Sequence, residues 1–125
     1  MTIDGLTLYA CVSELRQQMI GAKIDKIHQP ARDEIVLLLR TQSQNLRLLI
    51  SLSAGECRLG LTENPKPNPP SPPTFCMFLR KHITNARIAS IEQVGLERIV
   101  HIGLAGKDEL GIEKNTTLII ELMGK

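Results

Sequence analysis

The sequence predicts an α+β domain, a mostly antiparallel β-sheet or sandwich carrying two helices. Three observations predict it. Apolar residues recur at helical spacing near the start, a second such run follows a proline-laden loop, and the remaining apolar segments are about seven short β-rich runs, mostly at hairpin spacing.

Asp4 is placed to cap the first helix, and Leu8, Val12, Leu15 and Met19 recur at steps of four, three and four before Gly21 ends it. A strand of mixed pattern runs from Lys23 to His28 and is expected to stop at Gln29-Pro30, because proline cannot donate to a ladder. Glu34 to Arg40 carries Ile35-Val36-Leu37-Leu38-Leu39 without a break, the pattern of a strand buried on both faces or a central one. Leu46, Leu48 and Ile50 mark the next strand, and Cys57 to Leu61 a short fourth.

The loop Asn64-Pro65-Lys66-Pro67-Asn68-Pro69-Pro70-Ser71-Pro72-Pro73 is stiff and extended, since each proline fixes φ and removes a donor. It leads into a second helix with Ser71 as expected cap and Pro72 and Pro73 in the first turn. Phe75, Phe78, Leu79 and His82 then share a face, which predicts burial of two of the three aromatic residues and directs Arg80 and Lys81 outward. Arg87 to Gln93 is a strand. Arg98 to Leu104 is another, with Val100, Ile102 and Leu104 on one face, and a polar turn over 106–111 separates it from a last β-rich run, Thr116 to Leu122. That run is still in progress near residue 125, so residues 1–125 read as a single domain cut from a longer, multidomain protein.

A chain of 125 residues holds one domain with a real core, and a formal net charge of +2 makes any basic surface local. No segment approaches the roughly 20 apolar residues of a membrane span, and the first residues lack a basic-then-apolar leader pattern, so a cytoplasmic soluble domain with no membrane partner is expected. Cys11, Cys57 and Cys76 are odd in number, far apart and without a CxxC, which argues against a disulfide framework and a zinc knuckle. With only Tyr9, Phe75 and Phe78 as aromatics, a base-stacking platform for single strands is poorly supported.

The phosphate loop, GxGxxG, HExxH and GxSxG are all missing, and His28, His82 and His101 fall on separate elements. Glu97-Arg98 follows Gly95 at a turn where a strand begins, so its arginine can project from a rigid base toward phosphate or a base edge. Spacing alone favours the plainer alternative, a surface turn with a local ion pair worth about 0–1 kcal/mol. Arg80-Lys81-His82 reads as a solvated basic face or a phosphate contact fixed by the stiff loop before it. Glu121 and Met123 read as edge-strand and junction residues.

Taken together, several blocks in order resemble the N-terminal domain of the NFACT proteins: Asp4-Gly5, Lys23-Ile24-Asp25-Lys26-Ile27 with Gln29-Pro30, the proline loop into Phe75-Cys76-Met77 and Leu79-Arg80-Lys81-His82, Ile91-Glu92-Gln93 with Gly95-Leu96, and Ile120-Glu121-Leu122-Met123-Gly124. The family includes a bacterial ribosome quality-control factor also catalogued as a fibronectin- or fibrinogen-binding protein. The resemblance implies a factor that binds the large ribosomal subunit holding a stalled peptidyl-tRNA and recruits alanyl-tRNA for an untemplated C-terminal alanine tail. This domain would then be a tRNA-recognition module, not an enzyme, and would need no cofactor.

The family's Asp-Arg pair for tRNA recruitment maps onto Glu97 and Arg98, of which Arg98 matches and Glu97 is longer by one methylene. Arg80 and Lys81 are further tRNA-binding candidates, and Glu121 and Met123 candidate junction or ribosome contacts. Lys125 stands where many relatives have arginine. The resemblance also implies a fold like the N-terminal domain of formamidopyrimidine-type DNA glycosylases. Thr2 and Ile3 occupy the places of those enzymes' proline nucleophile and its neighbouring glutamate, so glycosylase chemistry is not expected. An extracellular adhesin for fibronectin or fibrinogen is the alternative reading, and no signal peptide, wall anchor or disulfide pattern speaks for it.

Overall fold

The computed structural model describes residues 5–52, 58–62, 70–107 and 110–122. The first element is α1 (Gly5–Met19), whose Leu8, Val12, Leu15 and Met19 are buried as their spacing predicts; its expected cap, Asp4, lies outside the described residues. Four strands follow, β1 (Lys23–Ala31), β2 (Glu34–Arg40), β3 (Asn45–Ser51) and β4 (Arg58–Leu61), and then α2 (Thr74–Ile83). The chain continues through β5 (Arg87–Gln93), β6 (Ile99–Lys107) and β7 (Glu113–Glu121). The expected two helices and seven antiparallel strands are all present, in one sheet of order β4-β3-β2-β1-β5-β6-β7.

The middle of that order is a narrow seam. β1 and β5 share one registered pair, Lys23 with Arg87. Backbone bonds reinforce it: Ile24 N–H to Ala86 C=O at 2.8 Å, Ile88 N–H to Ala22 C=O at 2.9 Å and Gly21 N–H to Ile88 C=O at 2.7 Å. Past this point the two strands run in opposite directions without further pairing, and each half leaves a free edge beside the core. The helices occupy those edges, α1 along β5 and α2 along β1.

Each helix brings an arginine to the carbonyl its strand leaves unpaired. Arg16 of α1 donates from Nε and Nη2 to the Ile91 oxygen, at 2.9 and 2.7 Å. Arg80 of α2 donates from Nε to the Ile27 oxygen at 2.9 Å, with the Cys76 thiol on the same oxygen at 3.5 Å. Unpaired buried carbonyls are costly, and a charged donor meets them better than a neutral one. α1 also touches β4, which stands about 19 Å from β5 at the usual strand spacing, so the β4–β1 half curls around the helix.

Several boundaries differ from expectation. β1 runs through Gln29 and Pro30 to Ala31, because a register shift between the His28 and Ala31 pairs removes the demand for a ladder donor at the proline. β6 begins at Ile99, one residue after Arg98, and extends to Lys107, while β7 begins earlier, at Glu113. The cap of α2 is Pro73, with no side-chain cap bond, and Pro72 precedes the helix, so Ser71 does not cap it. Its buried stripe is Cys76, Leu79 and Ile83. Phe75, Phe78 and His82 lie on the exposed side instead, and with Tyr9 also exposed, no aromatic ring enters the core. Cys57 and most of the proline loop lie outside the described residues.

Arg16→Ala strands the Ile91 carbonyl and lowers the unfolding free energy by about 1–3 kcal/mol in a urea titration with unchanged slope, whereas Gln17→Ala on the exposed side of α1 stays within about 0.5 kcal/mol.

Candidate nucleic-acid interface

The turn between β5 and β6 carries Glu97 and Arg98. Val94 N–H bonds the Ile99 oxygen and Glu97 N–H bonds the Val94 oxygen, both at 3.0 Å, and Gly95 supplies the left-handed step at φ 56° that closes the loop. Three elements then hold it. The Gln93 amide at the end of β5 donates to the Glu97 oxygen at 2.7 Å and to the Gly5 oxygen at 3.0 Å, tying the turn to the start of α1. Gly5 packs so closely that a Cβ there would land on the Leu96 carbonyl oxygen. From the far side, Leu122 N–H donates to the Arg98 oxygen at 2.7 Å, and Leu122 itself is fully buried.

The side chains are left available. Glu97 is exposed and Arg98 half-buried, and among the described residues neither has an ion-pair partner, so the local Glu97–Arg98 pair is not formed. Val94 and Leu96 are exposed beside them, as is Leu6 just after Gly5, which gives the charged pair an apolar rim. A fork of guanidinium donors and a carboxylate acceptor on a rigid turn can recognise phosphate, a guanine edge or a base amine.

Glu121 joins this end of the molecule: it is exposed at the end of β7, registered with Ile99 and next to Leu122. Met123 lies outside the described residues. Arg80 and Lys81 do not join it. Their helix packs at Ile27–His28, about four residues along β1 from the seam, while Gln93 lies six residues along β5 in the other direction, so the two groups sit at opposite ends of the ladder, on the order of 30 Å of strand apart.

At that second end the Arg80 guanidinium is engaged by the Ile27 carbonyl, with Nη2 3.5 Å from His28 Nδ1, whereas Lys81 is exposed. Burial, then the charges of Arg80 and Lys26, push the His28 pKa below its ordinary 6.5. An open groove of about 690 Å³ runs past Asp25, Lys26, His28, Arg80 and Lys81. Among the described residues no His, Cys, Asp and Glu cluster could hold a metal ion, and no helix is long and apolar enough to cross a membrane.

Gly5 and Gln93 stand in sequence blocks that resemble the family, but spacing gave them no role at the turn; the contacts that tie the turn to α1, Gln93 with Gly5 and Gly5 with Leu96, join residues 88 or more positions apart.

Comparison with known proteins agrees with this architecture. The chain belongs to the NFACT family: the family described as "NFACT N-terminal and middle domains" matches residues 4–125. Over 125 residues it is 44% identical to the Rqc2 homolog RqcH of Streptococcus pneumoniae serotype 2 and 38% identical to that of Bacillus subtilis, covering 100% of this chain and 23% and 22% of those proteins. It is 32% identical over 121 residues to the human ribosome quality control complex subunit NEMF, covering 97% of this chain and 10% of that protein. The chain thus spans less than a quarter of the curated relatives it matches.

Among solved structures, the N-terminal domain of the fibronectin-binding protein PavA from Streptococcus pneumoniae superposes with a TM-score of 0.93 at 45% identity, covering 97% of this chain and 46% of that one. The fibrinogen binding protein from Staphylococcus aureus superposes at 0.88 and 37% identity, covering 98% and 43%.

Gly5→Ala forces the Leu96 backbone away and costs about 1–3 kcal/mol in chemical unfolding, with faster amide exchange at Glu97; Gly60→Ala, whose Cβ meets nothing within 4 Å, shows neither effect. A second expectation concerns pH. Because the folded state lowers the His28 pKa, the unfolded chain binds the extra proton between the folded value and 6.5, so stability falls as pH drops through that window. Urea midpoints measured from about pH 7.5 to pH 5 show this loss, and His28→Asn removes its share.

Proposed function

We propose that this domain is the tRNA-recognition module of a cytoplasmic ribosome-associated quality-control factor. In this reading the parent protein binds large subunits that hold a stalled peptidyl-tRNA and recruits alanyl-tRNA for untemplated C-terminal tailing. The observation that carries it is the Glu97–Arg98 turn, pinned by α1, β5 and the end of β7, with neither side chain in an ion pair among the described residues. The ribosome quality-control names of the relatives support the same reading.

Arg98 supplies the cationic fork and Glu97 an acceptor for a base amine. Arg80 contributes by fixing α2, and Lys81 offers a phosphate contact at the other end. Glu121 lies where a following domain or the ribosome would meet the turn. The ribosome performs the peptide-bond chemistry, so the domain acts by selection and is not an enzyme. A glycosylase-like shape would fit a sheet that presents its loops to nucleic acid without a catalytic amine at Thr2.

One observation favours a second reading. Solved relatives are named for fibronectin or fibrinogen binding, and the exposed Phe75, Met77 and Phe78 of α2 form an apolar face suited to a protein partner. That reading gives the Glu97–Arg98 turn no role.

The deciding experiment compares alanine tails in cells lacking the endogenous factor, complemented by the full-length parent with Arg98 or with Arg98→Ala. Loss of a charge-assisted contact reduces tRNA recruitment about ten- to hundredfold, so tails disappear while protein level and subunit association hold. Glu97→Asp keeps the tails. Persistence of tails in Arg98→Ala sinks the assignment, and nanomolar fibronectin binding indifferent to Arg98 puts the adhesin reading in its place.

A further inference from the structure

The outward face of the sheet carries a second charged feature, at the end of β5 remote from Glu97 and Arg98. Lys23 of β1 is registered with Arg40 of β2 on one side and with Arg87 of β5 on the other. Directly opposed residues of antiparallel strands point to the same face, and the adjacent registered pairs, Ile24 with Leu39 and Ile88 with Leu104, are buried in the core. Arg40, Lys23 and Arg87 therefore form a row of three cations across the outer surface. All three line one open groove of about 510 Å³, together with Gln42 and Ser43 of the β2–β3 hairpin.

A neighbouring row repeats the pattern, with Arg47 and Lys26 flanking Leu38. Among the described residues, Asp25 is the acidic group paired with these rows, in an exposed pair with Arg40 at 3.2 Å. Like charges placed directly opposite one another destabilise a sheet. A chain with net charge +2 nonetheless gathers five cations here, across the narrow seam that joins its two halves.

We infer that this row is a docking strip for an RNA phosphate backbone, separate from the Glu97–Arg98 turn. The inference rests on the proposed function for the class of partner and adds a second contact to it. Two strand spacings make the row about 10 Å long, enough to meet a few successive phosphates of one strand, whereas a single metabolite phosphate would need a convergent pocket and not a line. Arg87 also donates from Nη1 to the Gly21 oxygen at 3.2 Å, which fixes its stem at the seam while leaving the rest of the guanidinium toward the groove. The strip positions RNA without reading sequence, and selection stays with the turn.

The test is a salt titration of binding by the 125-residue chain to two fluorescein-labelled probes, a tRNA transcript and an unrelated A-form RNA duplex. The wild-type chain binds both with a steep salt dependence. In the triple variant Arg40→Gln, Lys23→Gln, Arg87→Gln, affinity at low salt falls at least tenfold for both probes and the log–log salt slope shrinks by about 2–3, close to one per lost phosphate contact. Lys23→Gln alone breaks no hydrogen bond or ion pair among the described residues, so it controls for folding, and its slope falls by about one.

Arg98→Ala lowers tRNA binding but leaves the duplex slope in place, so failure of the strip and failure of the turn are told apart. A slope unchanged in Lys23→Gln and in the triple variant, or a wild-type chain that binds neither probe, overturns the inference. Loss of binding to phosphatidylserine vesicles in the triple variant with RNA binding intact assigns the row to a lipid surface and overturns it equally.

Discussion

Everything in this fold hangs on a seam one residue pair wide. Lys23 and Arg87 join two halves of the sheet that separate on either side of them, and the separation exposes a strand edge in each half, one at Ile27 and one at Ile91. A sheet of this kind is viable only if something polar reaches those carbonyls from the core side. The two helices supply that, each with an apolar stripe for the core and one arginine long enough to cross to the edge. The two halves, of four and three strands, thus meet their free edges in the same way although they share no sequence repeat.

The seam also sorts the charge. Because β1 and β5 leave it in opposite directions, the registered cations gather at the seam itself, while the turn with Glu97, Arg98 and Glu121 stands at the far end of β5. A small net charge thus conceals two local fields that differ in character: a line of cations for any phosphate backbone, and a mixed-sign pair on a rigid loop suited to discrimination. Affinity and selectivity are physically separable when one stands at the seam of the sheet and the other at the far end of a strand.

Much of this was legible in the sequence where local periodicity decides the outcome. The α1 stripe, β2 and β5 follow from spacing and composition, because burial on one face imposes its period on the chain. It was not legible where a distant contact decides. Phe75–Phe78–His82 and Cys76–Leu79–Ile83 are equally helical stripes; the reach of Arg80 and Cys76 to Ile27 chooses between them and turns the aromatic face outward. Pro30 sits in a strand because a bulge absorbs it. At the candidate site the position of Glu97-Arg98 on a turn was readable, but the absence of their mutual pair and the grip of Gln93 and Gly5 come from the tertiary fold.

The outward placement of every ring has a further consequence. With a core of leucine, isoleucine, valine, alanine, methionine and cysteine among the described residues, the interior holds no aromatic chromophore, and Tyr9, the single phenol, stands in solvent on α1. Folding of this domain is therefore nearly silent to near-ultraviolet dichroism and intrinsic emission. The same tyrosine is a clean reporter of whatever approaches α1 from outside, with no internal fluorophore to obscure it.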